Sequence, residues 1–153
     1  MKDGIYTTQS KYIKKILKKF GMYDPRLVGT PMSTGHKLSK NDDSKEVDQT
    51  TYRSMIGKLQ YVVHTRPDIA LAVDMLARFS ANPKENHMMD IKRIMRYIKG
   101  TKDYGLGYNK GGTLDLKAFK NVDWVGSVNV KKSTSGGAPF SWNKTSILDK
   151  QEV

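Results

Sequence analysis

Between residues 51 and 100, large apolar side chains recur at helical spacing through two restarts, each marked by a proline. No other feature narrows the fold so far. Met55, Ile56, Leu59, Val62 and Val63 fall at i, i+1, i+4, i+7 and i+8, which is one stripe of a helix. Arg66-Pro67-Asp68 begins again: proline's fixed φ suits the first helical position, and a carboxylate suits the positive N-terminal end. Ile69, Ala72, Val73 and Leu76 make the next stripe, with Phe79 just off it. Asn82-Pro83-Lys84-Glu85 reads as a cap, a first-turn proline and an acid at N3. Met88, Ile91, Met95 and Ile98, joined by Ile94, then form an apolar face that Gly100 stops. The spacing predicts three helices packed through Ile56, Leu59, Val63, Ile69, Val73, Leu76, Ile91, Met95 and Ile98.

The flanks read differently. Residues 4–9 are β-branched or aromatic between polar ends, which predicts a short strand. Ser10 then precedes a helix whose stripe is Ile13, Ile16, Leu17 and Phe20, with Gly21 as its stop. Asp24-Pro25 starts a turn and Thr30-Pro31 extends the chain away from it. Within residues 33–50 only Leu38 and Val47 are large and apolar among many charges, too little buried surface to offset ordering entropy, so a linker is expected. From Tyr104 glycines punctuate, and Leu114 to Phe119 alternates at period two, which predicts a hairpin with one half-buried strand. Residues 126–146 are rich in Gly, Ser, Lys and Thr and carry no readable period.

Charge supplies the first functional hint. The 153 residues hold 27 Lys and Arg against 15 Asp and Glu, a net charge of +12. The excess is spread along the chain and broken only by the mixed stretch 33–50. Such a surface favours polyanions, nucleic acid first and anionic membrane second; the plain alternative is a merely soluble, self-repelling surface. There is no cysteine, which excludes a disulfide scaffold, a cysteine zinc site and a thiol nucleophile. No apolar run approaches the roughly 18 residues of a membrane helix. Met1 to Ser10 has no apolar signal region, so a cytosolic or nuclear context away from membranes is expected.

Two basic arrays are candidate binding residues. Lys92, Arg96 and Lys99 lie at i, i+4 and i+7 with Arg93 beside them, opposite the Ile/Met face. Lys14, Lys15 and Lys18 sit on the outer faces of the first helix, which contains no acid. Either array suits a phosphate backbone, and either is also what a solvated amphipathic face looks like. His36, His64 and His87 stand singly, so neither a metal centre nor a cofactor is expected. The Gly-Gly pairs at 111–112 and 136–137 lack the Lys-Ser/Thr of a phosphate loop. Asp123, after a strand in Asn121-Val122-Asp123-Trp124, has the placement of a nuclease Mg²⁺ ligand, but two-metal chemistry needs several convergent carboxylates.

An ordered set of short motifs spans nearly the whole chain. It comprises Gln9-Ser10-Lys11-Tyr12-Ile13, Thr30-Pro31-Met32, Tyr52 to Tyr61, Thr65-Arg66-Pro67-Asp68-Ile69, Ala77-Arg78-Phe79 with Asn82-Pro83, Lys92 to Thr101, and Asp123-Trp124 with Lys132 to Gly136. Together these resemble the Pol polyprotein of copia-type LTR retrotransposons. The resemblance implies the downstream end of the reverse transcriptase running into the start of RNase H. It implies an α+β chain: palm end with strand and helix over 1–32, linker over 33–50, a thumb-like three-helix unit over 51–103, and a truncated RNase H-type β region, an incomplete sheet, over 104–153. In the family the polymerase carboxylates, including a Tyr-x-Asp-Asp turn, would fall upstream of Met1. The RNase H strand there reads like Tyr-Ser-Asp-x-Asp-Trp-x-Gly, whereas this chain has Phe119-Lys120-Asn121-Val122-Asp123-Trp124-Val125-Gly126. A neutral amide, Asn121, thus stands where the family holds Mg²⁺, which leaves Asn121 and Asp123 as vestigial positions. The resemblance therefore implies a degenerate fragment that is not an enzyme and binds duplex or RNA–DNA hybrid weakly and without sequence preference. Few aromatics interleave the basic residues along the sequence, so stacking on single strands is expected to matter less. The alternative it implies is an exapted, effector-like module acting on a protein partner.

Overall fold

The apolar stripes fold into four α-helices around one core, and strands close off both ends of the helical run. The coordinates are a computed structural model. It describes residues 4–22, 26–33, 38, 43–109, 115–123, 134–142 and 146–148. The expected turn at Asp24-Pro25, His36, Gly111-Gly112 and Trp124 lie outside the described residues.

Strand β1 (Gly4–Thr8) leads into helix α1 (Ser10–Lys19), which buries Ile13, Ile16 and Leu17. Gly21 ends α1 as expected. Its φ of 64° is the left-handed conformation that lacks a Cβ penalty only for glycine. This lets the Gly21 and Met22 N–H groups bond back to the Lys18 and Leu17 carbonyls at 3.2 and 3.0 Å, a Schellman ending. Helix α2 (Gln49–Val63) starts at Asp48, whose carboxylate accepts from the Thr51 N–H at 2.6 Å. Hydrogen bonds from the Thr51 side chain first, and then from its backbone, hold the Asp48 carboxyl below its usual range. A 3-10 turn (Pro67–Ile69) opens helix α3 (Ala70–Ala77), and helix α4 (Glu85–Gly100) completes the unit.

The expected core of these helices is present. Ile56, Leu59, Ile69, Val73, Leu76, Ile91, Met95 and Ile98 are buried, and Val63 packs against them half-buried. Two details depart from expectation. Helix α4 begins later than the Asn82 cap implied: Lys84 takes the N-cap position, and its N–H donates to His87 Nδ1 at 3.1 Å. The His87 ring, 1% exposed, stacks on Phe79 at 4.0 Å. Pro83 thus precedes the cap rather than filling the first turn. The stretch 33–50 is also less detached than its charge suggests. Leu38 is 5% exposed in the core, and Val47 packs against that core. Glu46 bridges Lys84 through the backbone and by an ion pair at 3.0 Å. A few anchored residues suffice there where no periodic face exists.

The sheets hold the main correction. Strand β2 (Gly105–Asn109) does not turn back on strand β3 (Asp115–Asp123) as a hairpin. It pairs antiparallel with β1, from Gly4↔Asn109 to Thr8↔Gly105, and on its other side with β5 (Ser146–Leu148). Strand β3 instead pairs with β4 (Thr134–Trp142), from Asp115↔Trp142 to Asp123↔Thr134. The period-two alternation located β3 but says nothing about its partner, and β4 arose in a stretch with no alternation at all. Gly105 is required by the β1 contact, since a Cβ there would overlap the Thr7 carbonyl oxygen. The Tyr6 hydroxyl donates to the Asp103 carbonyl and reinforces the join.

Candidate nucleic-acid interface

Helix α1 turns one apolar stripe inward, so its lysines must face out. Lys11, Lys14, Lys15, Lys18 and Lys19 are all exposed, and no acid stands among them. Lys18 and Lys19 occupy the last turn, where cations meet the negative end of the helix dipole. Lys19 also reaches over the Phe20 ring at 5.7 Å. These charges are set in place by α1 packing against α4.

The stripe on α4 is more involved with the chain itself. Lys92 is exposed, while Arg93, Arg96 and Lys99 are half-buried. Arg93 donates to Thr30 Oγ1 at 3.0 Å, Arg96 to the Lys92 carbonyl at 3.4 Å, and Lys99 to the Met22 carbonyl at 3.4 Å. Leu27 lies beside Gly100. Met22, Leu27 and Thr30 therefore lie along the basic face of α4, from Lys99 back towards Arg93. Cations on this stripe position that segment as well as presenting charge. The structure thus places Lys14, Lys15 and Lys18 openly on one helix and the Lys92–Lys99 array on its neighbour.

Asn121 and Asp123 fall at the end of β3, opposite Gly136 and Thr134 in the ladder with β4; their side chains lie outside the described residues. Among the described residues no group of three or more His, Cys, Asp or Glu side chains could hold a metal ion. His64 stands alone at the end of α2, its Nδ1 at 3.1 Å from the Tyr61 carbonyl.

Two arrangements escaped the sequence reading. Arg66, which sequence alone marks only as a helix restart, is 0% exposed. Its guanidinium donates to both Asp68 carboxylate oxygens at 2.9 and 2.7 Å, and to the Thr101 carbonyl and hydroxyl, both at 2.7 Å. It also lies 5.5 Å from the Tyr97 and Tyr104 ring centres. Tyr97 completes the network by donating its hydroxyl to Asp68 at 2.8 Å. Burial first, then the bond to the Asp68 carboxylate, push the Tyr97 pKa above its ordinary value. This is a structural tie between the α2–α3 turn and the end of α4. The second arrangement is aromatic. Tyr61 of α2 is 54% exposed and meets Tyr12 of α1 edge to face at 4.8 Å, with the His64 ring 6.0 Å from it. The nearest sequence signal was Tyr at two motif positions, far apart along the chain.

Comparison with known proteins places this α+β chain, with its four helices packed on one core and its lysine-bearing outer faces. It is 39% identical over 146 residues to the retrovirus-related Pol polyprotein from transposon RE1 of Arabidopsis thaliana, and 36% identical over 147 residues to that from transposon RE2. Each match covers 92% of this chain but 10% of the polyprotein. It is also 41% identical over 98 residues to secreted RxLR effector protein 161 of Plasmopara viticola, covering 60% of this chain and 69% of that protein. No family model matches the chain, and no solved structure gives a significant match. Over most of its length the chain is thus similar to retrovirus-related Pol polyproteins of copia-type transposons, and it spans about a tenth of the length of the two Arabidopsis polyproteins. No helix is long and apolar enough to cross a membrane among the described residues.

Proposed function

We propose that residues 1–153 are a degenerate piece of a copia-type Pol polyprotein in which thumb-like helices, α2 to α4, run into an RNase H-type β region, and that they bind nucleic acid without catalysing its synthesis or cleavage. The observation that carries the binding reading is α1: five exposed lysines with no acid in the helix, on a chain of net charge +12. Cations so arranged release counterions from phosphates and give weak, sequence-independent affinity for duplex or RNA–DNA hybrid. The RNase H-type reading is supported by the β3–β4 pairing, an antiparallel pair whose first strand ends on the motif around Asp123. The non-catalytic reading is supported by the residues present: no Tyr-x-Asp-Asp occurs in 1–153, and Asn121 is an amide where the family pattern has a Mg²⁺ ligand.

Fluorescence anisotropy on a labelled RNA–DNA hybrid at two salt concentrations tests the binding. Affinity should fall steeply with salt, and each lysine of Lys14, Lys15 and Lys18 replaced by Ala should lower the log–log slope by about 0.9. Binding indifferent to salt, or an unchanged slope in that triple variant and in Lys92/Arg96/Lys99→Ala, would show these faces to be solvated surface only. Mg²⁺-dependent cleavage of the hybrid that Asp123→Asn abolishes would overturn the non-catalytic reading. The likeness to a secreted RxLR effector favours a second reading, an exapted module that engages a protein partner; a chain indifferent to nucleic acid at low salt would move the weight to it.

A further inference from the structure

Tyr12 and Tyr61 are far apart in sequence, yet the packing of α1 beside the end of α2 makes them a two-ring step on the surface. Tyr12 shares its side of α1 with Lys15 and Lys19, at i+3 and i+7, and Lys11 adjoins it. All three lysines are exposed. On α2, Tyr61 has Lys58 one turn before it and exposed His64 one turn after it. One turn before Tyr61 on the same face stands Gly57, also exposed. Glycine within a helix is unfavourable relative to alanine, and here nothing among the described residues demands it, because a Cβ at Gly57 would meet none of their atoms within 4 Å. A bare helix surface beside an exposed ring suits the close approach of something outside the chain.

We propose that Tyr12, Tyr61 and His64, with Lys11, Lys15, Lys19 and Lys58 around them and Gly57 leaving room, form a site for single-stranded nucleic acid. Unpaired bases stack on the Tyr61 ring while the lysines meet the phosphates. Charge complementarity selects a polyanion, and an exposed ring propped by a second one selects a polyanion with free π-faces; a closed duplex offers only the first. The inference rests on the proposed nucleic-acid binding and adds to it the kind of strand that is preferred.

The test compares three probes of equal length on the full chain: an oligothymidylate 20-mer, an abasic 20-mer of the same charge, and a 20-base-pair duplex. The parent should bind the thymidylate about tenfold more tightly than the abasic strand. Tyr61→Ala should erase that difference, and Tyr61→Phe, which keeps the ring, should restore most of it. Equal binding of the thymidylate and abasic strands by the parent, or a preference that survives Tyr61→Ala, overturns the site while leaving general phosphate binding intact. Failure of all three probes to bind at low salt removes both. Cross-linking of the parent to 4-thiothymidine needs no variant: adducts on the peptides holding Tyr12 or Tyr61 support the site, and adducts confined to α4 overturn it.

Discussion

Arg66 shows how much a single side chain holds. An arginine taken wholly out of water must find partners for its fork of donors, and Asp68 and Thr101 supply them. Removing it leaves a carboxylate that is 17% exposed without its cation, held by the Tyr97 hydroxyl, and unties the end of α4. Arg66→Ala should therefore lower unfolding stability by about 3 kcal/mol or more in a denaturant titration. Arg66→Lys should recover only part, because an ammonium cannot make the bidentate contact. Sequence spacing could not reveal this, since a charged residue before a proline reads as surface. Tyr52 gives a second test. Its buried hydroxyl donates to the Leu76 carbonyl at 2.8 Å. Burial first, and then the Asp90 carboxylate, raise its pKa well above the ordinary value of 10.0. A phenol raised in the folded state stabilises the fold fully below about pH 10, and the contribution is lost as pH climbs towards the folded-state value. Stability measured at neutral pH and at about pH 11 should fall more in the parent than in Tyr52→Phe.

At the scale of elements, the helices were legible because each carries its own apolar period, and the periodic positions proved to be the buried ones. Caps were less legible: at the start of α4 the His87 ring accepts the Lys84 N–H, Asn82 is not the cap, and no local pattern announces that. Ile94 lies wholly within the core. Truncation to Ala should cost about 2–5 kcal/mol, seen as a lower denaturation midpoint with an unchanged slope. Gly57 pulls the other way. Gly57→Ala should stabilise the fold by about 1 kcal/mol in the same titration, since the exposed position has room and gains helix propensity. The lysines of the candidate site were legible from their outward phase on α1. The Tyr12–Tyr61 step was not, because it exists only once two helices meet.

The whole molecule is organised by a pairing that no local pattern contains. Strand β1 meets β2 after the entire helical run, so the alternation that located the strands left their partners open. Gly105→Val should force β1 away from β2 and leave the helices standing: amide exchange should quicken at alternate residues of Gly4–Thr8 and Gly105–Asn109, those that bond across the ladder, and stay slow at Ile94. Slow exchange throughout would mean the strands contribute nothing to each other's protection. The same pairing brings the two ends of the helical run, Thr8 and Gly105, side by side, within about 5 Å across neighbouring strands. A segment that leaves and re-enters a sheet at one point is a cassette. Its two ends lie close enough that a short linker joining Thr8 to Gly105 would span them without pulling either strand out of register.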